Sequence, residues 1–203
     1  MRSRSFALLL GLVLGVVSHA QSAGIGAKGG ILVSSVHAVN IRTSPIPGAT
    51  AGIYFPWGIG PRVELQPEIL VTALGTVYTE PDDDRFTERL LYFQVPLLIK
   101  LYLNNGLNVS GGYQFAKPLA AMRTVNDSKV DVLERYESLD MGFVGGIGMD
   151  FRSGVDLSLR AYSAMTPSLR NDDALFSKNR SLQLTIGYRF VQFRGSQRGR
   201  RRR

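Results

Sequence analysis

The sequence predicts an all-β chain, an eight-stranded antiparallel up-and-down transmembrane β-barrel that follows a cleaved signal peptide. Three observations carry this expectation. Apolar residues recur at period two along most of the chain, with almost no helical period. The connections between the alternating segments are in turn short and long, as in a barrel with tight turns at one end and loops at the other. The polar faces of the segments hold Gly, Ser and a balanced set of isolated charges, whereas a face turned to water would be rich in Lys and Glu.

The ends of the chain are read first. Arg2 and Arg4 precede an apolar run from Phe6 to Val17, followed by Ser18-His19-Ala20. That order is a secretory signal over residues 1–20, cleaved after Ala20. The run is too short to be an anchor, since a membrane-spanning helix needs about 20 apolar residues. The net charge of +8 resides in the two ends. The signal takes two arginines and the tail six, Arg194, Arg198 and Arg200 to Arg203, while residues 21–193 hold 16 Lys+Arg against 16 Asp+Glu. A neutral body gives no basic face for nucleic acid, so no nucleic-acid partner is expected. Residues 194–203 read as a basic, disordered extension that anionic headgroups would attract. The chain has no cysteine, which excludes disulfides and thiolate-held metals. After the signal there is no apolar run of 18 residues, so a membrane crossing must be made by strands.

The segments follow in order. Ile25 to Ser35 and Thr50 to Trp57 alternate weakly. In the third, Val63, Leu65, Pro67, Ile69 and Val71 oppose Arg62, Glu64, Gln66, Glu68, Leu70 and Thr72. The fourth sets the odd-numbered apolar residues of Leu91 to Leu103 against Tyr92, Gln94, Pro96, Leu98, Lys100 and Tyr102. Leu107 to Ala116, Leu139 to Phe151, Val155 to Tyr162 and Ser181 to Phe190 repeat the pattern. Short connections fall at Pro56–Pro61, Asn104-Asn105-Gly106 and Arg152-Ser153-Gly154, where Gly tolerates the positive φ of a tight turn. Long polar ones run over about residues 36–48, 76–88, 122–137 and 166–179. Three short turns against four long loops put both termini at the short-turn, periplasmic end.

Periodicity alone does not separate a membrane barrel from a soluble, lipocalin-like ligand-binding barrel, because each has one apolar face. The polar face decides for the membrane. Its charges are Lys28, Arg62, Lys100, Arg160 and Arg189 against Glu64, Glu68, Asp140, Asp150 and Asp156, five against five. A balanced set suits a narrow interior, where each buried charge needs a partner. Phe55, Trp57, Phe151, Tyr188 and Phe190 cluster at the short-turn end, as an interfacial girdle would.

The segments also carry a likeness. RLLYFQVPLLIKLYL, with Tyr92 and Pro96, resembles the Y-x-x-[IV]-P-L-L-x-K pattern of the PorT-like outer-membrane β-barrel domain of Gram-negative bacteria. VELQPEILVT resembles that family's Leu-Gln-Pro-Glu-Leu strand, LNVSGGYQFAKPL its Gly-x-Gln strand and RSLQLTIGYRF its closing strand, over residues 24–190 in all. The resemblance implies an eight-stranded barrel in the bacterial outer membrane, porin-like in fold, with no assigned chemistry. Some relatives are linked to secretion machinery, others to adhesion. It further implies that Tyr188 and Phe190 form the C-terminal signal read by the barrel-insertion machinery. Members usually end at the aromatic, whereas thirteen residues follow Phe190 here.

Sites with sharper chemistry fail on context. Gly24-Ile-Gly26-Ala-Lys28-Gly29 matches a dinucleotide fingerprint but follows the signal and opens no helix. His37 is the one histidine after the signal and has no partners for a zinc site or a triad. Pro81-Asp82-Asp83-Asp84 lacks the spaced ligands and glycine of a calcium loop. Glu64 and Glu68 lie about 13 Å apart along a strand, beyond the reach of paired glycosidase carboxylates. The expected function is therefore non-enzymatic, without metal or cofactor: a structural, adhesion or secretion-accessory role carried by the long loops. Its partners would be outer-membrane lipid, the insertion machinery and an unidentified protein at the loops. A small lipid-modifying enzyme, drawing on His37 and loop acids, is the alternative of another class.

Overall fold

A computed structural model describes residues 22–37, 42–79, 85–104, 106–125, 128–168 and 178–194. The signal segment, the tips of three long loops, the Asp82–Asp84 run and the arginine tail lie outside the described residues, and so do the side chains of His37 and Arg194. Eight strands form the barrel: β1 (Ser22–His37), β2 (Arg42–Tyr54), β4 (Val63–Thr79), β5 (Arg85–Asn104), β6 (Leu107–Val125), β8 (Asp140–Asp150), β9 (Val155–Ala164) and β10 (Lys178–Arg194). Two short segments complete the sheet. β3 (Trp57–Gly58) resumes the path of β2 after Phe55-Pro56, and β7 (Ser128–Asp131) turns back along the end of β6.

Each barrel strand pairs antiparallel with its neighbours in sequence, and β10 pairs with β1 from Ser22↔Arg194 to His37↔Lys178. Closure leaves no strand edge around the ring, which is what lets a sheet sit in hydrocarbon. From Lys28 the pairing passes through Gly52, Leu70, Gln94 and Ala116 to Asp140. Three residues further along β8, Phe143 leads through Ser163 and Arg180 to Ser35, seven residues above Lys28. The register thus advances ten residues per circuit, a stagger that tilts the strands by about 35–45°. The tight turns sit at Gly106 and Gly154, both at φ 92°, where a side chain would be strained.

The interior is polar and the outside apolar. Lys100, Glu68, Gln66 and Gln114 are buried, while Ile31, Ile147 and Ile186 are 67, 56 and 57% exposed. A soluble ligand-carrying barrel has the opposite polarity, so the lipocalin-like alternative is overturned. Phe151, Tyr188 and Phe190 are exposed at the short-turn end, with Trp57 and Phe55 half-buried beside them.

Three of the long connections are corrected. Most of residues 36–48 and 76–88 and half of 122–137 is strand: β1 reaches His37, β4 runs to Thr79, β5 starts at Arg85, β6 continues to Val125 and β7 follows it. At 20 residues β5 is about twice the 9–11 needed to cross a bilayer. Its upper part belongs to a collar standing above the membrane, where both faces of a strand tolerate polar residues and the alternation fades. β10 likewise continues past Phe190 to Arg194, so the closing strand does not end at the aromatic.

Candidate functional site

Inward parity on eight strands gathers the polar side chains into tiers along the axis. In the tier nearest the tight turns, Asp150 accepts hydrogen bonds from Lys100 Nζ (3.1 Å), Tyr102 Oη (2.7 Å) and Asn108 Nδ2 (2.9 Å). Arg189 bridges Asp150 and Glu64, at 3.4 and 3.2 Å. One tier up, Glu68 takes both arms of Arg160, Nη1 at 2.7 Å and Nη2 at 2.9 Å, plus Lys28 Nζ at 2.9 Å and Gln66 Nε2 at 2.5 Å. The fork-to-fork geometry suits a buried pair, since it satisfies several donors and acceptors at once. Lys28 also lies 3.9 Å from Asp156 and 4.7 Å from the centre of the Tyr54 ring. Gly187 opposite leaves the room Asp156 needs, because a Cβ there would stand 2.2 Å from Asp156 Oδ2.

Above these lie neutral groups. Thr50 and Thr72 hydroxyls meet at 2.8 Å, Thr72 donates to Gln94 Oε1 at 2.8 Å, and Ser158 meets Thr185 at 2.7 Å. Asp140 is the exception in this tier. It is buried, pairs with no cation among the described residues, and accepts from Tyr162 Oη at 2.7 Å and Asn179 Nδ2 at 2.6 Å. Beside it a cavity of about 10 Å³, lined by Ser34, Tyr92, Asp140, Tyr162, Asn179 and Ser181, has room for roughly one water.

The mouth is capped. After β7 the chain turns inward through a 3-10 turn, η1 (Leu133–Arg135), and buries Val132 and Tyr136 against Leu32, Leu74, Leu90, Tyr92, Ala116 and Ala121. Glu88 ties the cap to the collar: Arg123 Nε donates to it at 2.7 Å, and Tyr136 Oη donates to its other oxygen. Burial and neighbouring groups, Glu88 among them, push the Tyr136 hydroxyl far above its usual pKa, so it stays a donor. Arg123 also covers the Phe86 ring, which stacks on Tyr78 with centroids 4.9 Å apart.

Nine of the ten charges expected inside are placed there, and Arg62 is not. It is exposed in the turn before β4, where its carbonyl accepts from Tyr102 N–H at 2.8 Å. The ladder of β4 begins at Val63, so parity no longer governs the residue before it. The ion-paired lattice is therefore four cations and four carboxylates, with Asp140 held separately by neutral donors. The sequence reading missed Gln66, Tyr102 and Asn108 as partners, although inward parity marks all three. Glu88, Arg123 and Tyr136 were hidden in segments read as loops. Among the described residues no group of three His, Asp or Glu side chains is placed to hold a metal.

The fold recurs in solved barrels. Neisserial surface protein A superposes with a TM-score of 0.60 at 10% identity, over 83% of this chain and 99% of that one. Ail, the attachment invasion locus protein of Yersinia pestis crystallised with the heparin analogue sucrose octasulfate, gives 0.50 at 14%, over 83% and 98%. No curated protein matches the sequence. The family model described as outer membrane protein beta-barrel domain matches residues 19–170, three quarters of the chain. With an ion-paired interior and apolar side chains facing lipid, the chain belongs to the outer membrane protein β-barrel domain family and resides in the bacterial outer membrane.

Proposed function

We propose that the protein is a non-conducting, non-enzymatic barrel that acts through its collar and long loops as an adhesion platform. The observation that carries this reading is the filled axis. Ion pairs occupy the lower tiers, and the inward fold of residues 132–136 seats Tyr136 on Glu88, so the barrel holds a rigid rim in place of a pore. Rigid scaffolds commonly present binding loops in this way. Ail, similar in fold, was crystallised with a heparin analogue, which makes sulfated glycan a sensible first surface to test. The finer likeness to PorT-like barrels, carried by Tyr92, Pro96 and the Gln66-Pro67-Glu68 strand, leaves a secretion-accessory role as the competing reading. Export through the signal over residues 1–20 is part of the same proposal.

Two measurements test it. Purified protein in planar bilayers should show no steady single-channel current, and a reproducible ohmic channel would remove the plugged reading. A non-adherent host displaying the full chain should be retained on heparin-coated surfaces more than the same host with an empty vector. Equal retention, together with crosslinks to periplasmic secretion components, would move the assignment to the accessory role.

A further inference from the structure

We propose that the lipid-facing wall formed by β2, β4, β5 and β6 binds one anionic, phosphate-bearing lipid of the outer leaflet, with its acyl chain in a surface groove and its phosphate on Arg89. Ala49, Ala73, Leu91 and Ala120 pair in one row across these four strands, and all four are exposed. Three small side chains in register leave a depression in a wall otherwise built of Val, Ile, Leu and Phe. A register shift between Pro45 and Ala49 on β2 raises one flank of it. There the chain projects Ile46 over Gly75, so that a Cβ on Gly75 would stand 2.6 Å from Ile46 Cδ1. Proline and a bulge belong together here, because Pro45 and Pro47 have no N–H for the ladder. The result is a mostly apolar groove of about 470 Å³, bounded by Ile46, Pro47, Arg89, Leu91 and Met122.

Arg89 identifies the occupant. It stands one outward position above Leu91, in the row Gly75–Arg89–Met122, and is exposed. Among the described residues it has no ion pair or hydrogen bond. Asp131, next in that row on β7, is turned onto the Leu133 N–H at 2.9 Å. The wider charge distribution agrees. On the outward parity of the barrel strands every described charged side chain is basic, namely Arg89, Lys178 and Arg180 toward the long-loop end and Lys117 beside Phe93, one outward position below Leu91. The described carboxylates of those strands, Glu64, Glu68, Glu88, Asp140, Asp150 and Asp156, all point inward. Outward cations above and below the groove, with the exposed carboxylate of Asp131 engaged by a backbone N–H, complement lipid phosphate. An apolar groove on the outer wall just below Arg89 takes an acyl chain, which a soluble anion does not have.

The test is native mass spectrometry of the full-length mature barrel released from mixed micelles, with heat-dependent gel mobility confirming that each variant is folded. The wild type should retain phosphatidylglycerol about fivefold over phosphatidylcholine, the preference one interfacial arginine supplies. Arg89→Gln should bring the two lipids level, and Ala73→Phe, which fills the groove, should abolish retention of both. Leu184→Phe, on the lipid-facing side of β10, should behave as wild type, and glycerol phosphate without acyl chains should not bind. Unchanged selectivity in Arg89→Gln, unchanged retention in Ala73→Phe, or equal binding of glycerol phosphate would each overturn the proposal.

Discussion

The lower and upper halves of the barrel solve the same problem with different chemistry. Near the tight turns the axis is filled by full charges, with Glu68 between Arg160 and Lys28 and Asp150 between Lys100 and Arg189. Near the long loops it is filled by hydroxyls and amides, such as Thr50–Thr72–Gln94 and Tyr92–Asn179, and closed by an apolar cap. The difference shows where strength and tolerance reside. Charges buried deep in a membrane stay only if every partner is present, so the lower half fails as a unit. Neutral hydrogen bonds are lost singly and at modest cost.

The sharpest way to break the contrast is Glu68→Ala, which strands Arg160 and leaves Lys28 only Asp156 at 3.9 Å. Urea unfolding in lipid vesicles, followed by the gel shift, should show a loss of about 3–5 kcal/mol. Replacing the whole cluster with apolar residues, as Lys28→Met, Glu68→Leu, Asp156→Leu and Arg160→Met, should cost less than Glu68→Ala alone. A quadruple variant weaker than the single one would mean that the cluster stabilises the fold outright. The next effect belongs to the rim. Glu88→Ala removes the acceptor of Arg123 and Tyr136 and should cost about 1–3 kcal/mol. Hydrogen exchange should quicken over Ser128–Tyr136 while β8 and β9 stay protected. Smallest is Thr72→Val, which removes the hydroxyl between Thr50 and Gln94. It should cost about 1 kcal/mol, and a loss as large as that of Glu68→Ala would erase the distinction between the halves.

What was legible in the sequence follows the same division. Within the membrane, parity is enforced by solvent on one side and a narrow axis on the other, so Lys28, Glu64, Glu68, Lys100, Arg160 and Arg189 are visible from alternation alone. Parity also places Asp140 inside, but not the neutral donors that hold it, because those depend on what the strands around it bring to the same height. Above the membrane neither face is constrained. Glu88, Arg123 and Tyr136 therefore sit in stretches that read as loop, although β5 holds Glu88 and β6 holds Arg123. The inward turn at Val132 is illegible for a related reason, since two apolar residues in a polar segment form no period. Arg62 shows the remaining limit: the alternation is correct only as far as the ladder runs.

Closure between β1 and β10 has a consequence for biogenesis. His37 and Lys178 are 141 residues apart in the chain, and Ser22 and Arg194 are 172. Every other pairing in the ring joins strands adjacent in sequence and can form as a local hairpin. The seam alone must wait until the last strand has been delivered, and it carries the largest loop-closure entropy in the molecule. Until then Ile31 and Val33 lie beside an open edge whose N–H and C=O groups have no partner. The unclosed chain is therefore the species that needs an escort on the way to the bilayer.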